Sequence, residues 1–301
     1  MRLDLTPGRR RAAVVGAWLL ATALLAVCAR SIDWSHAAEI LAAAHPAWIA
    51  IAILLNASIV PLMGAFWMAL RPRSEPAVSF RRAFEIAATA IALMNTIPFG
   101  AGHASIVVLW IRRGNTSQRG ALSILALDQL GEGIAKVGLF LVVALVAPMP
   151  TWMRAGVTSV ALLVAILFAV LVVASRWATE LRIDRTWTRA CAGLGFVIGT
   201  KVAEALAIVA VQRAFGVDVS AGGTLLVLAA VILGSIIPVT PSNAGTYEAA
   251  AFLAYRHLGL PPEQALSLAL VQHMCFVLPS VGIGYLFMSA QTFARSAIAS
   301  R

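Results

Sequence analysis

The stretch Ile97-Pro98-Phe99-Gly100-Ala101-Gly102-His103 breaks a long apolar segment, and Ile237-Pro238-Val239-Thr240-Pro241-Ser242-Asn243-Ala244-Gly245 breaks a second one in a similar way. Similar short runs follow the two breaks, Ala121-Leu122-Ser123 after the first and Ala265-Leu266-Ser267 after the second. Paired, broken apolar segments at corresponding points of two halves are typical of transporters with a site near the bilayer midplane. We therefore predict a repeat with halves at about 46–147 and 190–289.

Apolar residues dominate the chain. They make up 60% of its 301 residues, and only 12% are charged, against about 25% in soluble domains. A spanning helix needs about 20 apolar residues, so the sequence predicts a single all-α, polytopic membrane domain over residues 1–301. Eight apolar segments can be recognised: 12–30, 46–70, 83–113, 120–147, 152–174, 190–212, 222–258 and 264–289.

The net charge of +10 comes from arginines clustered between the apolar segments. That placement follows the positive-inside rule and does not indicate a nucleic-acid partner. Cys28, Cys191 and Cys275 lie in apolar surroundings without metal-ligand spacing. We predict no metal and no cofactor.

The arginine counts predict where the first broken segment enters and leaves the membrane. Loop 71–82 holds four arginines and loop 112–119 holds three, so we expect both loops in the cytoplasm. Segment 83–113 must then enter and leave on one side, as a re-entrant hairpin turning at Pro98, Gly100 and Gly102.

Continuing the alternation puts the second hairpin, 222–258, on the opposite face, turning at Pro238, Pro241 and Gly245. The predicted fold has six transmembrane helices and two re-entrant helical hairpins in an inverted repeat. We expect segment 12–30 to be an uncleaved first helix, both termini to be cytoplasmic, and the protein to lie in a bacterial inner (plasma) membrane. The alternative is that Pro98 and Pro238 only kink two full spans.

Ionisable residues inside predicted spans are costly and usually functional. Asp128, Glu132 and Lys136 share one helical face, and Lys201 and Glu204 form an i, i+3 pair. Lys136 and Lys201 are the only lysines of the chain. Two interpretations remain open: these residues line a polar substrate pathway, or Glu132–Lys136 and Lys201–Glu204 are internal salt bridges.

Further polar candidates surround the two breaks: Asn95, His103, Asn243, Tyr247 and Glu248. Free backbone amides at the start of a half-helix favour an anion such as phosphate. Glu248 could equally complement the dipole of that helix start, and His103 could be a ligand or a hydrogen-bonded structural residue. For His273 we expect the structural role.

Two motifs carry a family resemblance: Asn95-x-x-Pro98-x-Gly100-x-Gly102-His103 and Pro238-x-x-Pro241-x-x-x-Gly245-x-x-Glu248. The chain resembles the transmembrane region of the lysylphosphatidylglycerol synthase (multiple peptide resistance factor) family. The resemblance implies a lipid flippase; aminoacyl transfer belongs to a separate cytosolic domain in that family. We expect a stand-alone, flippase-like member without the synthase domain.

The chain departs from the family pattern at three places. His103 stands where an acid is common, Ser242 and Asn243 where two glycines are common, and Asp128-Gln129 where an acid is followed by arginine. The loss of that arginine puts an identical head group in doubt. Lys136 and Lys201 would then be the interior cations available for a phosphate.

We therefore predict a non-enzymatic lipid transporter that moves a phospholipid or polyprenyl-linked amphiphile between leaflets. The head group would pass between the hairpin tips and the Asp128 face, next to Gln129. No G-x-x-x-x-G-K-[ST] motif is present, so movement is passive or coupled to protons, through Asp128 or Glu132, or to another ion. Homo-oligomerisation stays open. The alternatives are an intramembrane lipid-modifying enzyme, such as a polyprenyl-phosphate-dependent glycosyltransferase, and a non-transporting membrane scaffold.

Overall fold

The fold is all-α, as predicted, in the part of the chain that the structure describes. The computed structural model describes Leu19 and residues 34–72, 74–97, 101–177, 187–236 and 240–299. The predicted first span 12–30, apart from Leu19, and the turn residues Pro98, Gly100 and Pro238 lie outside these ranges. No strand occurs within them.

Ten α-helices and two short 3-10 turns make up the described residues. The helices are α1 Trp34–Ala42, α2 Pro46–Leu70, α3 Phe80–Thr96, α4 Ala104–Gly114, α5 Gln118–Val146, α6 Thr151–Trp177, α7 Trp187–Ala214, α8 Ala221–Gly234, α9 Thr246–His257 and α10 Pro262–Ala299. The 3-10 turns are Ala101–His103, before α4, and Pro241–Asn243, before α9. Only α1 has no counterpart among the predicted apolar segments.

Four described helices are long and apolar enough to cross a membrane. They are Pro46–Leu70, Gln118–Val146, Gly193–Ala214 and Pro262–Ala290, and they correspond to the predicted spans 46–70, 120–147, 190–212 and 264–289. The predicted span 152–174 falls within α6. Six spans, membrane re-entry and inverted symmetry stay predictions.

Each broken segment is folded back on itself. Helices α3 and α4, which flank the first break, pack against each other, and so do α8 and α9, which flank the second. Near the end of α4, Arg113 Nη1 donates to Thr89 Oγ1 of α3 at 3.2 Å. Gly234 of α8 lies so near α9 that a Cβ there would be 2.7 Å from the Ala250 Cβ. We call α3 with α4 the first hairpin, and α8 with α9 the second.

The returning helices are short. Helix α4 has 11 residues and α9 has 12, which at 1.5 Å per residue gives about 17 Å. A bilayer core is about 30 Å thick. Neither helix alone is long enough to cross it.

Both ends of the first hairpin lie at the start of α5. Glu75, in the loop before α3, accepts hydrogen bonds from the backbone N–H of Ser117 at 3.1 Å and from the Ser117 hydroxyl. Ser117 is the N-cap of α5. The loop that leads into the hairpin therefore touches the loop that leaves it.

Both ends of the second hairpin lie at the other end of α5. Near the start of α8, a Cβ at Gly222 would be 2.7 Å from the Val146 carbonyl oxygen. At the end of α9, His257 Nε2 lies 2.9 Å from the Pro148 carbonyl oxygen. Because α5 runs from Gln118 to Val146, the two hairpins open at opposite ends of this helix.

Two apolar cores hold the hairpins. The first hairpin packs in a core that includes Phe66 and Trp67 of α2 and Ile124 of α5. The second packs in a core that includes Phe140 of α5 and Leu268 of α10. Helix α2 also packs against α7, and α10 packs against α2, α3 and α9. Both hairpins thus pack against α5 and α10.

Candidate functional site

The two hairpin tips are in direct contact. Ser242 Oγ, in the turn before α9, donates a hydrogen bond of 2.9 Å to the Asn95 carbonyl oxygen near the end of α3. The Asn95 side chain turns back on its own helix and donates to the Ile91 carbonyl oxygen at 2.9 Å. The backbone of Asn95, and not its side chain, therefore joins the two tips.

The second tip has an unusual backbone. Ser242 and Asn243 have φ of 52° and 57°, and Gly245 has φ of 87°. A left-handed conformation costs an L-residue roughly 1–2 kcal/mol, and asparagine tolerates it better than most residues. Glycine takes it freely, so the backbone conformation at positions 242 and 243 is one that glycine would adopt without strain. Pro241, at the start of the 3-10 turn, precedes this stretch.

Glu248 caps the helix that follows this tip. Its Oε2 accepts a 2.7 Å hydrogen bond from the Gly245 backbone N–H, so the predicted role at the helix start is confirmed. An anion approaching the Gly245 amide would compete with this carboxylate. The other oxygen, Oε1, lies 2.8 Å from His273 Nδ1.

His273, on α10, joins Glu248 to the second tip. Its Nε2 lies 2.8 Å from the Ser242 carbonyl oxygen, and its ring stacks on Tyr247 with centroids 4.2 Å apart. Only 1% of its side chain is exposed. His273 is hydrogen-bonded, as expected, but its partners were missed, because α10 meets α9 only in the folded protein.

A buried polar network extends from Tyr247 across four helices. Gln272 Nε2 donates to Tyr247 Oη at 2.9 Å, and Tyr255 Oη donates to Gln272 Oε1 at 2.8 Å. Gln212 on α7 and Thr224 on α8 extend it through a 2.9 Å hydrogen bond between their side chains and a 3.4 Å bond from Gln212 to Tyr255. The sequence offered one indication of this network, which is that its polar residues stand within apolar segments.

The two lysines lie in one charged cluster between α5 and α7. Lys201 Nζ is 3.0 Å from Glu204 Oε1 and 3.4 Å from Glu132 Oε2, and Lys136 Nζ is 3.6 Å from Glu132 Oε2. Both predicted pairs are present, and Lys201 adds a link between the helices. The side chains of Glu132, Lys201 and Glu204 are 15–18% exposed, and that of Lys136 is 32% exposed. We call these four residues the charged cluster.

Asp128 lies deeper than the charged cluster, one turn away on α5. It is 2% exposed, and its two oxygens accept hydrogen bonds from Trp67 Nε1 at 2.7 Å and from Gln129 Nε2 at 2.9 Å. Trp67, on α2, was not predicted. It became a candidate only because α2 packs against α5.

Tyr247 lies beside the contact between His273 and Glu248, because its ring stacks on the His273 imidazole. The structure thus brings together Tyr247, His273 and Glu248 in one group, and the cluster lysines with Glu132 and Glu204 in another. Gly102 and His103 lie at the first tip, where His103 directly precedes α4.

Metal ligands are not grouped here: in the described residues, no three His, Cys, Asp or Glu side chains come together to hold an ion. At the second tip, Asn243 Oδ1 is buried without a hydrogen-bond partner. The polar side chains described above make hydrogen bonds and ion pairs with one another within an apolar bundle.

One family model matches most of the chain. The model described as "Lysylphosphatidylglycerol synthase TM region" covers residues 12–284, which include both hairpins and the charged cluster. No curated protein gives a significant match.

Proposed function

Because the chain belongs to the lysylphosphatidylglycerol synthase transmembrane-region family, we propose that it is a lipid transporter. It moves a phospholipid or polyprenyl-linked amphiphile between the leaflets of a bacterial inner membrane. The family assignment supports a multi-pass membrane protein related to lipid metabolism or transport. Movement of the lipid between leaflets goes beyond the family assignment and is our proposal.

The observation that carries the proposal is the arrangement of the hairpins. They open at opposite ends of α5, at Ser117 and at Pro148, and touch through Ser242 and Asn95. In the proposed topology, both enter the bilayer from opposite faces and meet near its centre, within an inverted repeat of six spanning helices. Non-helical backbone is tolerated at that depth when it is enclosed by protein or lines a water-filled cavity.

The charged cluster is the proposed path of the lipid head group, and the tails stay in the surrounding lipid. Rocking of one repeat against the other would open this path to each side in turn. Lys201 is held by two carboxylates, so an anionic group can reach it only by separating those ion pairs. Hydroxyl or ammonium groups can bind the carboxylates of Glu132 and Glu204 directly, whereas Asp128, which is 2% exposed, would first have to be uncovered.

Lipid exchange in vesicles tests this proposal. The purified protein is reconstituted into phosphatidylcholine vesicles with a trace of fluorescent phosphatidylglycerol or fluorescent polyprenyl phosphate, and a membrane-impermeant quencher reports the outer-leaflet fraction. We expect exchange above that of protein-free vesicles. Absence of exchange with both probes would overturn the proposal, and chemical alteration of a probe, detected by chromatography, would identify a lipid-modifying enzyme instead.

Three variants test the head-group path: Asp128→Asn, Glu132→Gln and Lys136→Met. Asp218→Asn is the matched control, because it also removes an ion pair, that with Arg213 at 3.3 Å, but 84% of the Asp218 side chain is exposed. We expect at least one of the three variants to slow exchange by about tenfold, equivalent to about 1.4 kcal/mol, and the control to match the wild type. Wild-type rates in all three would discard this path but keep the transporter.

A further inference from the structure

The contact between His273 and Glu248 requires a proton. A carbonyl oxygen only accepts hydrogen bonds, so His273 Nε2, 2.8 Å from the Ser242 carbonyl oxygen, must carry a hydrogen. Nδ1 faces Glu248 Oε1 at 2.8 Å. This second hydrogen bond exists only if Nδ1 or Oε1 is also protonated.

We propose that Glu248 and His273 form the coupling-proton site of the transporter, a site that binds one exchangeable proton and releases the second hairpin tip when that proton leaves. This inference rests on the proposed lipid transport. The coupling ion is then a proton, and its site is the Glu248–His273 pair instead of Asp128. The two oxygens of Asp128 already accept hydrogen bonds from the N–H groups of Trp67 and Gln129.

Loss of the proton acts directly on the contact between the tips. The pair then changes from neutral to one negative charge, and the single hydrogen left on the ring can serve only one of its two contacts. If it stays on Nε2, the lone pairs of Nδ1 and Oε1 repel each other; if it moves to Nδ1, the ring no longer donates to the Ser242 carbonyl oxygen. His273 holds the Ser242 carbonyl oxygen, and Ser242 Oγ holds Asn95. Glu248 also caps Gly245. Movement of either partner therefore loosens the tip of the second hairpin.

Several charged and titratable groups lie on the helices around the pair. On α9, Tyr247 stacks on the imidazole and Tyr255 donates to Gln272. On α7, Lys201 is held by Glu204 and Glu132. Among the other helices packed on α10, α3 carries Glu85 paired with Arg81 and Arg82, α2 has no titratable residue, and α1 carries His36 and Glu39. Lys201, Arg81 and Arg82 are thus each paired with a carboxylate other than Glu248.

Glu248→Gln is the discriminating variant. Its amide oxygen can accept from the Gly245 N–H, and its amide nitrogen can donate to Nδ1 of a neutral His273, whose Nε2–H still donates to Ser242. Each hydrogen bond is kept without an exchangeable proton. We expect its melting temperature to stay near that of the wild type, whereas His273→Ala should lower it.

The first measurement is lipid redistribution driven by a pH gradient across the same vesicles. If one proton moves per lipid, a gradient of one pH unit changes the equilibrium distribution of the probe about tenfold. We expect this response in the wild type and in Asp218→Asn, and its loss in Glu248→Gln. Wild-type exchange that ignores the gradient, or a full response in Glu248→Gln, would overturn the proton site while leaving lipid transport intact.

The second measurement does not depend on transport. Nitrogen-15 NMR of labelled histidines, with the His273 signal assigned by its absence in His273→Gln, follows the ring between about pH 5 and about pH 8. We expect the ring nitrogen signals of wild-type His273 to change with pH, because loss of the proton from either Nδ1 or Oε1 alters the hydrogen bond between them, and those of Glu248→Gln to stay constant. If no probe is exchanged, the proposed function fails and this measurement decides the proton site alone; constant wild-type signals, or the same change in Glu248→Gln, would overturn it.

Discussion

Ser242 and Asn95 are 147 positions apart in the sequence, yet the Ser242 hydroxyl donates a 2.9 Å hydrogen bond to the Asn95 carbonyl oxygen. This bond joins the two hairpins at the breaks that first marked the sequence. Two further hydrogen bonds connect it to Glu248: His273 contacts the Ser242 carbonyl oxygen with one ring nitrogen and Glu248 with the other. The breaks are therefore parts of one polar junction.

Removing the Ser242 hydroxyl should weaken that junction. We expect Ser242→Ala to lower the free energy of unfolding by about 1 kcal/mol, the usual net contribution of one hydrogen bond. Ser289→Ala is the control, since Ser289 is exposed and its hydroxyl donates within its own helix, to the Leu286 carbonyl oxygen; its effect should stay within about 0.5 kcal/mol. Equal effects in denaturation in detergent would argue against a stabilising tip contact.

Two buried tryptophans provide a paired test of the Asp128 site. Trp67 donates to Asp128, whereas the buried Trp110 Nε1 has no hydrogen-bond partner. Both changes replace a fully buried tryptophan, but Trp110→Phe also weakens the contact of that ring with the Arg71 guanidinium, 5.6 Å from the ring centroid. A larger loss at Trp67 is therefore a lower limit on the contribution of the hydrogen bond to Asp128. We expect Trp67→Phe to cost about 1.5–3 kcal/mol more than Trp110→Phe in equilibrium unfolding; equal losses would contradict the assigned contact.

The two lysines should differ in their effect on stability. Lys201→Met leaves Glu132 and Glu204 without their shared cation, and breaking a buried pair costs about 3–5 kcal/mol. Lys136 is more exposed and lies 3.6 Å from Glu132, so Lys136→Met should cost less than about 1 kcal/mol. Unfolding of the double variant Lys201→Met/Glu204→Gln checks the cause, because it should recover part of the loss.

Cysteine labelling tests the proposed topology. Single cysteines are placed at the exposed positions Ser74 and Asn115, next to the ends of the first hairpin, and at Asp218 and Pro261, next to the ends of the second, after Cys28, Cys191 and Cys275 are replaced by alanine. We expect an impermeant reagent to reach the first two from the cytoplasmic side and the last two from the opposite side. Labelling of Asn115 from outside would contradict re-entry of the first hairpin.

Much of the helix arrangement could be predicted from local sequence. Span 46–70 matches α2, and the breaks near Pro98 and Pro238 separate α3 from α4 and α8 from α9. Apolar length and prolines act over short stretches of chain, so a single sequence reveals them. The separation of four residues between Glu132 and Lys136 likewise indicated that they could form an ion pair within one helix.

The partners across helices could not be predicted. Trp67 with Asp128, Lys201 with Glu132, and His273 with Glu248 each join residues from different helices. Neither composition nor residue spacing specifies which helices pack against each other. For His273 in particular, nothing nearby in the sequence indicated Glu248 as its partner.

The sequence by itself determined the helical class, the apolar spans and the two breaks, because backbone hydrogen bonding in an apolar setting and the geometry of proline depend on nearby residues alone. Only the tertiary structure decided that the hairpins open at opposite ends of α5 and that Ser242 meets Asn95. Those contacts depend on how α2, α5, α7 and α10 pack. Burial of polar side chains then favours a packing in which most buried hydrogen-bonding groups have a partner.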